Sequence, residues 1–189
     1  MKHLFFILFI FFGLTVQAQE TSFICAGATK ILTANATGGT APITYTWTSP
    51  SAVVTTGATV TANATGTYTW TATDVNGCTA AGTHDITIEA NPTVTLNAVG
   101  SCVGSAQTIS ATGVPAGYTY AWNFGSGATP ATATSPTASV SYSTSGTKTI
   151  TLDITRIQTG SANGCSATCV WTKTTTVVIG TLTGGSSCN

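Results

Sequence analysis

Charge is what this sequence of 189 residues most lacks: five Lys and Arg stand against five Asp and Glu, 5% of the chain where about a quarter is usual. So few cations leave a phosphate backbone or an anionic headgroup almost nothing to pair with, which argues against nucleic-acid binding and against attachment to an anionic membrane surface. Histidine is scarce as well, and His84 is the only one beyond residue 3. A hydrolytic or metal centre built on histidine therefore has a single residue to draw on. No stretch after the first residues carries a helical period, and no apolar run is long enough to cross a bilayer.

One apolar run does stand out. Leu4 to Phe12 follows Lys2 and His3 and precedes Val16-Gln17-Ala18, the layout of a secretory leader over residues 1–18 with cleavage after Ala18. The run is too short for a membrane anchor, so the processed chain is expected to be secreted or held at the cell surface without membrane insertion. Processing leaves Lys30, Lys148, Arg156 and Lys173 against Glu20, Asp74, Asp85, Glu89 and Asp153. Hydroxyls must then supply solubility, and β-branched threonine suits a pleated surface better than a helix.

What is present is alternation. From Gly66 to Cys78 the chain reads Gly-Thr-Tyr-Thr-Trp-Thr-Ala-Thr-Asp-Val-Asn-Gly-Cys, with Tyr68, Trp70 and Ala72 on one face of a half-buried strand and threonines on the other. Asn76-Gly77 predicts a tight hairpin turn before a returning strand. Similar runs place Ile43, Tyr45 and Trp47 on one strand face, Tyr118, Tyr120, Trp122 and Phe124 on its counterpart, then Ala138 to Tyr142, Ile150 to Ile154 and Trp171 to Ile179.

The runs recur in one order. Cys25-Ala-Gly27, Tyr45-Thr-Trp47 and Gly66 to Cys78 are followed by Cys102-Val-Gly104, Tyr120-Ala-Trp122 and Gly146 to Cys165, so we read two units. The second is longer, with an insertion expected at Ile157 to Ala162, between its last two strands. Asn91-Pro92 marks the boundary. The expected organisation is a leader over 1–18, one module over 19–90, a second over 91–180 and a flexible tail over 181–189.

Modules of this size are marginal without a staple, and the six cysteines suit an oxidising compartment. Six cysteines allow fifteen connectivities. The repeat favours Cys25 with Cys78 and Cys102 with Cys165. Cys169 and Cys188 have no counterpart in the first unit; they are expected to bond to each other through the Gly-Gly-Ser-Ser tail or, failing that, to join chains through an intermolecular disulfide.

No catalytic set assembles from these residues. His84 shares strand parity with Ile86 and Ile88 and reads as structural. Asp74 reads as a turn residue, and Asp85, Asp153, Glu89 and Glu20 are not set beside a glycine-rich catalytic loop. Cys165 and Cys169 have metal-like spacing but no histidine nearby, so no metal and no cofactor is expected. Among aromatics, Tyr45, Trp47, Tyr120 and Trp122 read as core. Trp70 and Trp171, taken to lie on late strands near a sheet edge, are the candidates for ligand-contacting rings.

The motifs also carry a resemblance. Unit one, with Gly-Gly-Thr-Ala-Pro-Ile-Thr-Tyr-Thr-Trp and Gly66 to Cys78, resembles the tandem repeats of bacterial surface adhesins of the gliding-motility type. Unit two, with Tyr120-Ala-Trp122-Asn-Phe124-Gly125-Ser-Gly127, Ser135-Pro136 and Gly146 to Leu152, resembles a PKD-type domain. Ser126 stands where that family often has an acid, which weakens any metal-contacting role. The resemblance implies an all-β chain of two tandem immunoglobulin-like, PKD-like antiparallel sandwiches after a signal peptide. It further implies a non-catalytic adhesion or spacer module facing extracellular glycan or protein, the alternative being a carbohydrate-binding accessory module of an extracellular hydrolase.

Overall fold

The computed structural model of the chain describes residues 15–16, 20–159 and 166–181. All regular structure in them is β, and no helix there is long and apolar enough to cross a membrane. The described residues divide into two compact units, the first running to Ile88 and including Thr159, the second holding Glu89–Gln158 and the chain from Ser166.

Unit one holds β1 (Thr15–Val16), β2 (Glu20–Cys25), β3 (Lys30–Thr33), β4 (Ala36–Thr37), β5 (Thr44–Thr48), β6 (Val54–Thr56), β7 (Thr59–Ala62), β8 (Gly66–Thr73) and β9 (Thr79–Glu89). Five of them form a sheet in the order β2-β9-β8-β5-β6, while β3 pairs with β7 and β1 with β4. Thr15 and Val16, which pair with Thr37 and Ala36, lie inside the expected leader. Ile24, Leu32, Trp47, Ala62, Tyr68, Trp70, Ala72 and Ile86 form one buried cluster drawn from both the large sheet and the β3-β7 pair. That shared core makes the unit a sandwich.

Unit two holds β10 (Thr95–Asn97), β11 (Ser101–Cys102), β12 (Gln107–Thr112), β13 (Thr119–Asn123), β14 (Ala128–Thr129), β15 (Thr132–Ala133), β16 (Thr137–Tyr142), β17 (Gly146–Thr159) and β18 (Ser166–Gly180). The sheets run β11-β18-β17-β13-β15 and β10-β12-β16-β14. Ile109, Trp122, Phe124, Val140, Tyr142, Ile150, Leu152, Ile154, Val177 and Ile179 are buried. The chain is thus two tandem immunoglobulin-like sandwiches, as the alternation and the resemblance led us to expect.

The two units solve the same problem alike. The tryptophans of β5 and β13 are buried, and each donates its indole N–H to a backbone carbonyl of the segment crossing to the other sheet: Trp47 to Gly57 at 3.2 Å, Trp122 to Ser135 at 2.9 Å. Tyr68 accepts the N–H groups of Asn63 and Ala64, both at 3.2 Å, and Tyr142 donates to the Phe124 carbonyl at 2.8 Å. A buried polar head left unpaired would cost about 1–3 kcal/mol, so each large ring enters the core with its polar end satisfied.

Two local expectations change. The first hairpin is a turn over Asp74 to Gly77, closed by Gly77 N–H to Asp74 O at 3.0 Å, with Val75 and Asn76 at its centre and Gly77 in the left-handed region at φ 80°. Register Thr73 to Thr79 leaves a five-residue loop, because one extra left-handed residue after the turn restores the strand twist. Of the expected insertion, Ile157 to Thr159 lengthen β17 instead of looping out. Residues 160–162, the Asn163-Gly164-Cys165 turn and 182–189 lie outside the described residues.

Candidate contact surface

The side chains singled out in the sequence take up other work. Trp70 is 3% exposed and Trp171 9%, which removes both as ligand-contacting rings. Trp70 does not sit on an edge, since β8 lies between β9 and β5, while Trp171 is on β18, which β11 flanks only at Ile179 and Gly180. Trp70 is the register partner of both Trp47 on β5 and Gly82 on β9, with its ring centroid 6.5 Å from that of Trp47. Trp171 packs 5.7 Å from Tyr118.

The cysteine pairing also needs correction. Cys78 is a free thiol, whereas Cys25, Cys102 and Cys169 are disulfide-bonded, so Cys25 is not joined to Cys78. The hairpin that this bond was to close is held by Asp74 instead. Its Oδ1 accepts the N–H groups of Asn76 at 2.9 Å and Cys78 at 2.8 Å, and its Oδ2 that of Thr40 at 3.0 Å. Cys102 runs parallel to β18 with Gly180 as its register partner. Cys165 lies outside the described residues, and the expected Cys102 to Cys165 bond lies there with it. Cys169 is already bonded and only 1% exposed, which withdraws it from intermolecular chaining; Cys188 lies outside the described residues.

The titratable groups are dispersed. His84 is buried with its ring 5.6 Å from Trp47 and its Nδ1 3.6 Å from Glu20. The Thr40 N–H, and after it those of Cys78 and Asn76, hold the Asp74 carboxyl below its ordinary range against the opposing pull of burial. Glu89 accepts the Tyr118 hydroxyl and the Gln158 amide, each at 2.6 Å. Those two bonds, with the Arg156 charge, keep it low. Tyr118 is pushed up to about 12 by burial, by its bond to Glu89 and by that carboxylate's charge. Asp85 takes the Thr67 hydroxyl and Asp153 that of Thr172. Each acid thus serves a different local contact. Among the described residues no three His, Cys, Asp or Glu side chains converge as metal ligands.

One open surface is the side of unit one around β6. Among the described residues this strand pairs only with β5, in register Trp47 to Thr55 and Thr48 to Val54, and all three of its residues are exposed. Val53 is 58% and Val54 63% exposed. A cleft of about 450 Å³ lies at one end, lined by Ile43, Tyr45, Thr56 and Ala58 among others. A second of about 300 Å³ is bordered by Val53, Thr55, Val60 and Asn63. Tyr45, assigned to the core from its alternation with Trp47, is half-buried and forms part of the first wall. No charged residue occurs between Lys30 and Asp74, so the groups this region offers are apolar side chains, hydroxyls and backbone N–H and C=O.

No protein-family model matches the chain, and no curated protein does. Among solved structures it is similar to immunoglobulin-domain proteins. Immunoglobulin domains 1–4 of Sidekick-1 align with 15% identity and a TM-score of 0.41 over 89% of this chain and 49% of that one. The N-terminal four domains of Dscam1 isoform 1.9 align with 11% identity and a TM-score of 0.35, over 89% and 46%. A complex of Dpr11 IG1 with DIP-gamma gives 13% and 0.35, over 88% and 98%. The chain spans about half the length of the four-domain structures it matches.

Proposed function

We propose that this chain is a secreted, non-catalytic contact module of a cell surface, of the bacterial adhesin type that its repeats resemble, exported by cleavage after Ala18. The observation that carries this reading is the dispersal of its acids and of His84 into separate structural contacts, with no base beside a nucleophile and no facing carboxylate pair among the described residues. Threonine faces, low charge and two serial sandwiches suit a surface that touches or spaces. A screen of the processed chain against glycan and polypeptide substrates should show no turnover; turnover lost on changing His84 or Glu89 would refute the reading.

The half-buried ring of Tyr45 in its cleft favours one further reading, a carbohydrate-binding accessory module. Aromatic faces stack on sugars, and Tyr45 takes the place that Trp70 and Trp171 were expected to fill. On a glycan array, binding lost in Tyr45→Ala with folding intact supports this reading, and an array blank for the wild-type chain rejects it.

A further inference from the structure

We infer that Asn76 is a self-modifying site, converting to aspartate and isoaspartate through a succinimide formed with Gly77, and that Asp74 is the latch that holds it shut. Asparagine is among the thermolabile side chains. Before a glycine it is least protected, because the next residue has no Cβ to screen the side-chain carbon from the following backbone nitrogen. In the reaction the Gly77 nitrogen, having given its proton to hydroxide, attacks Cγ of Asn76. A new N–Cγ bond closes the ring, and the side-chain nitrogen regains a proton and leaves as ammonia. Water then opens the ring at either carbonyl, and no other reactant is consumed.

The fold exposes this dipeptide and at the same time ties it down. Val75, Asn76 and Gly77 are exposed, and a Cβ built on Gly77 would meet nothing within 4 Å, so water and base reach the turn freely. What hinders the attack is Asp74. The attacking nitrogen is itself engaged, donating its N–H to the Asp74 carbonyl at 3.0 Å. The N–H groups on either side, of Asn76 and Cys78, both end on Asp74 Oδ1, at 2.9 and 2.8 Å. Swinging the Gly77 nitrogen round to Cγ needs a local opening that breaks these bonds together, and such openings set the rate. Conversion then releases the latch. The product carries a carboxylate beside that of Asp74, where like charges repel, and in isoaspartate the backbone gains a methylene, so the two N–H groups no longer converge on one oxygen. The tie from Oδ2 to the Thr40 N–H at 3.0 Å loses its support with them.

The test is incubation of the processed chain, disulfides intact, in warm and mildly alkaline buffer, with peptide mapping of Asn76 by mass and by enzymatic methylation of isoaspartate. Native wild type should convert at least about tenfold more slowly than the same chain in denaturant, the margin set by the local opening. Asp74→Asn, whose amide oxygen accepts without a charge, should keep the native near-ultraviolet circular dichroism and convert several-fold faster than wild type. Asp74→Ala should approach the denatured rate; if it does not fold, Asp74→Asn alone decides. Converted chain, separated by its added negative charge, should unfold at lower denaturant than unconverted chain. An Asn76 that converts as fast in the native chain as in denaturant, or that stays intact in denaturant, overturns the inference. So does a folded Asp74→Asn that converts no faster than wild type, and so do equal midpoints for converted and unconverted chain.

Discussion

Asp74 accepts the amide N–H of Thr40 across thirty-four residues of sequence, tying the loop before β5 to the hairpin after β8. With Asn76 and Cys78 on its other oxygen, this carboxylate does the work expected of a disulfide. Asp74→Ala should therefore lower the denaturation midpoint of unit one, and Asp74→Asn should recover part of the loss, because an amide oxygen accepts but carries no charge. The folded carboxyl titrates below its ordinary value of 3.8. Its contribution is thus complete above that value and disappears as pH falls through the lower folded value. Acid titration of wild type against Asp74→Asn, followed by circular dichroism, reads the difference; identical curves would contradict it.

Trp70 now predicts a stability effect where the sequence suggested a binding one. Trp70→Ala should cost about 3–5 kcal/mol, as for other buried large rings, enough to threaten a domain of this size. Gly82 gives the reverse experiment. A Cβ there would stand 2.6 Å from the Trp70 ring, so Gly82→Ala should cost about 1–3 kcal/mol by overpacking. Guanidinium denaturation followed by tryptophan fluorescence measures both.

The strands themselves were legible, since alternation sorts Tyr68, Trp70 and Ala72 from their threonines without knowledge of any partner. Strand order was not. Trp70 was assigned to the correct face and the wrong place in the sheet, because a late position in sequence does not mean an edge: β8 is flanked by β9 and by β5, which comes from far earlier in the chain. The cysteine pairing failed for a related reason. A repeated order of motifs does not say which cysteines meet, so Cys25 and Cys78 were paired although Cys78 is free and Cys25 is bonded elsewhere. Tyr45 has the alternation of a core residue, and its exposure depends on how far the neighbouring β6-β7 segment reaches over it.

Tyr118 and Glu89 each add a pH-dependent share to the stability of unit two. The phenol is raised from 10.0 to about 12, so the stability it contributes is complete below pH 10 and is lost as pH climbs through 12. The carboxyl is lowered from 4.5, so its share is present above that value and is lost on acidification. Tyr118→Phe removes a bond to a charged acceptor, about 1.5 kcal/mol, and should narrow the stable range at both ends. Absorbance near 295 nm should show a tyrosine in wild type that ionises only near pH 12 and is missing from the variant.

Cys78 should alkylate in the native protein without reductant, while Cys25, Cys102 and Cys169 should label only after reduction. Peptide mapping after iodoacetamide distinguishes the two classes, and a protected Cys78 would reinstate the bond it was first expected to make.

The parallel run of Ser101 and Cys102 beside Ile179 and Gly180, continued by Val103 N–H to Gly180 O at 2.9 Å, bears on how unit two meets force. An early strand and the final strand of the unit lie side by side and point the same way. Tension applied at both ends of the unit drags them past one another lengthwise, so their hydrogen bonds are loaded together, whereas a peeled hairpin opens one bond at a time. Mechanical lifetime then follows the unfolding barrier more than the equilibrium stability. Val103→Pro, which deletes one of the shared donors, should lower the rupture force of a single stretched molecule more than it lowers the midpoint in denaturant. A chain strung between two surfaces would carry load best along the line on which it is pulled.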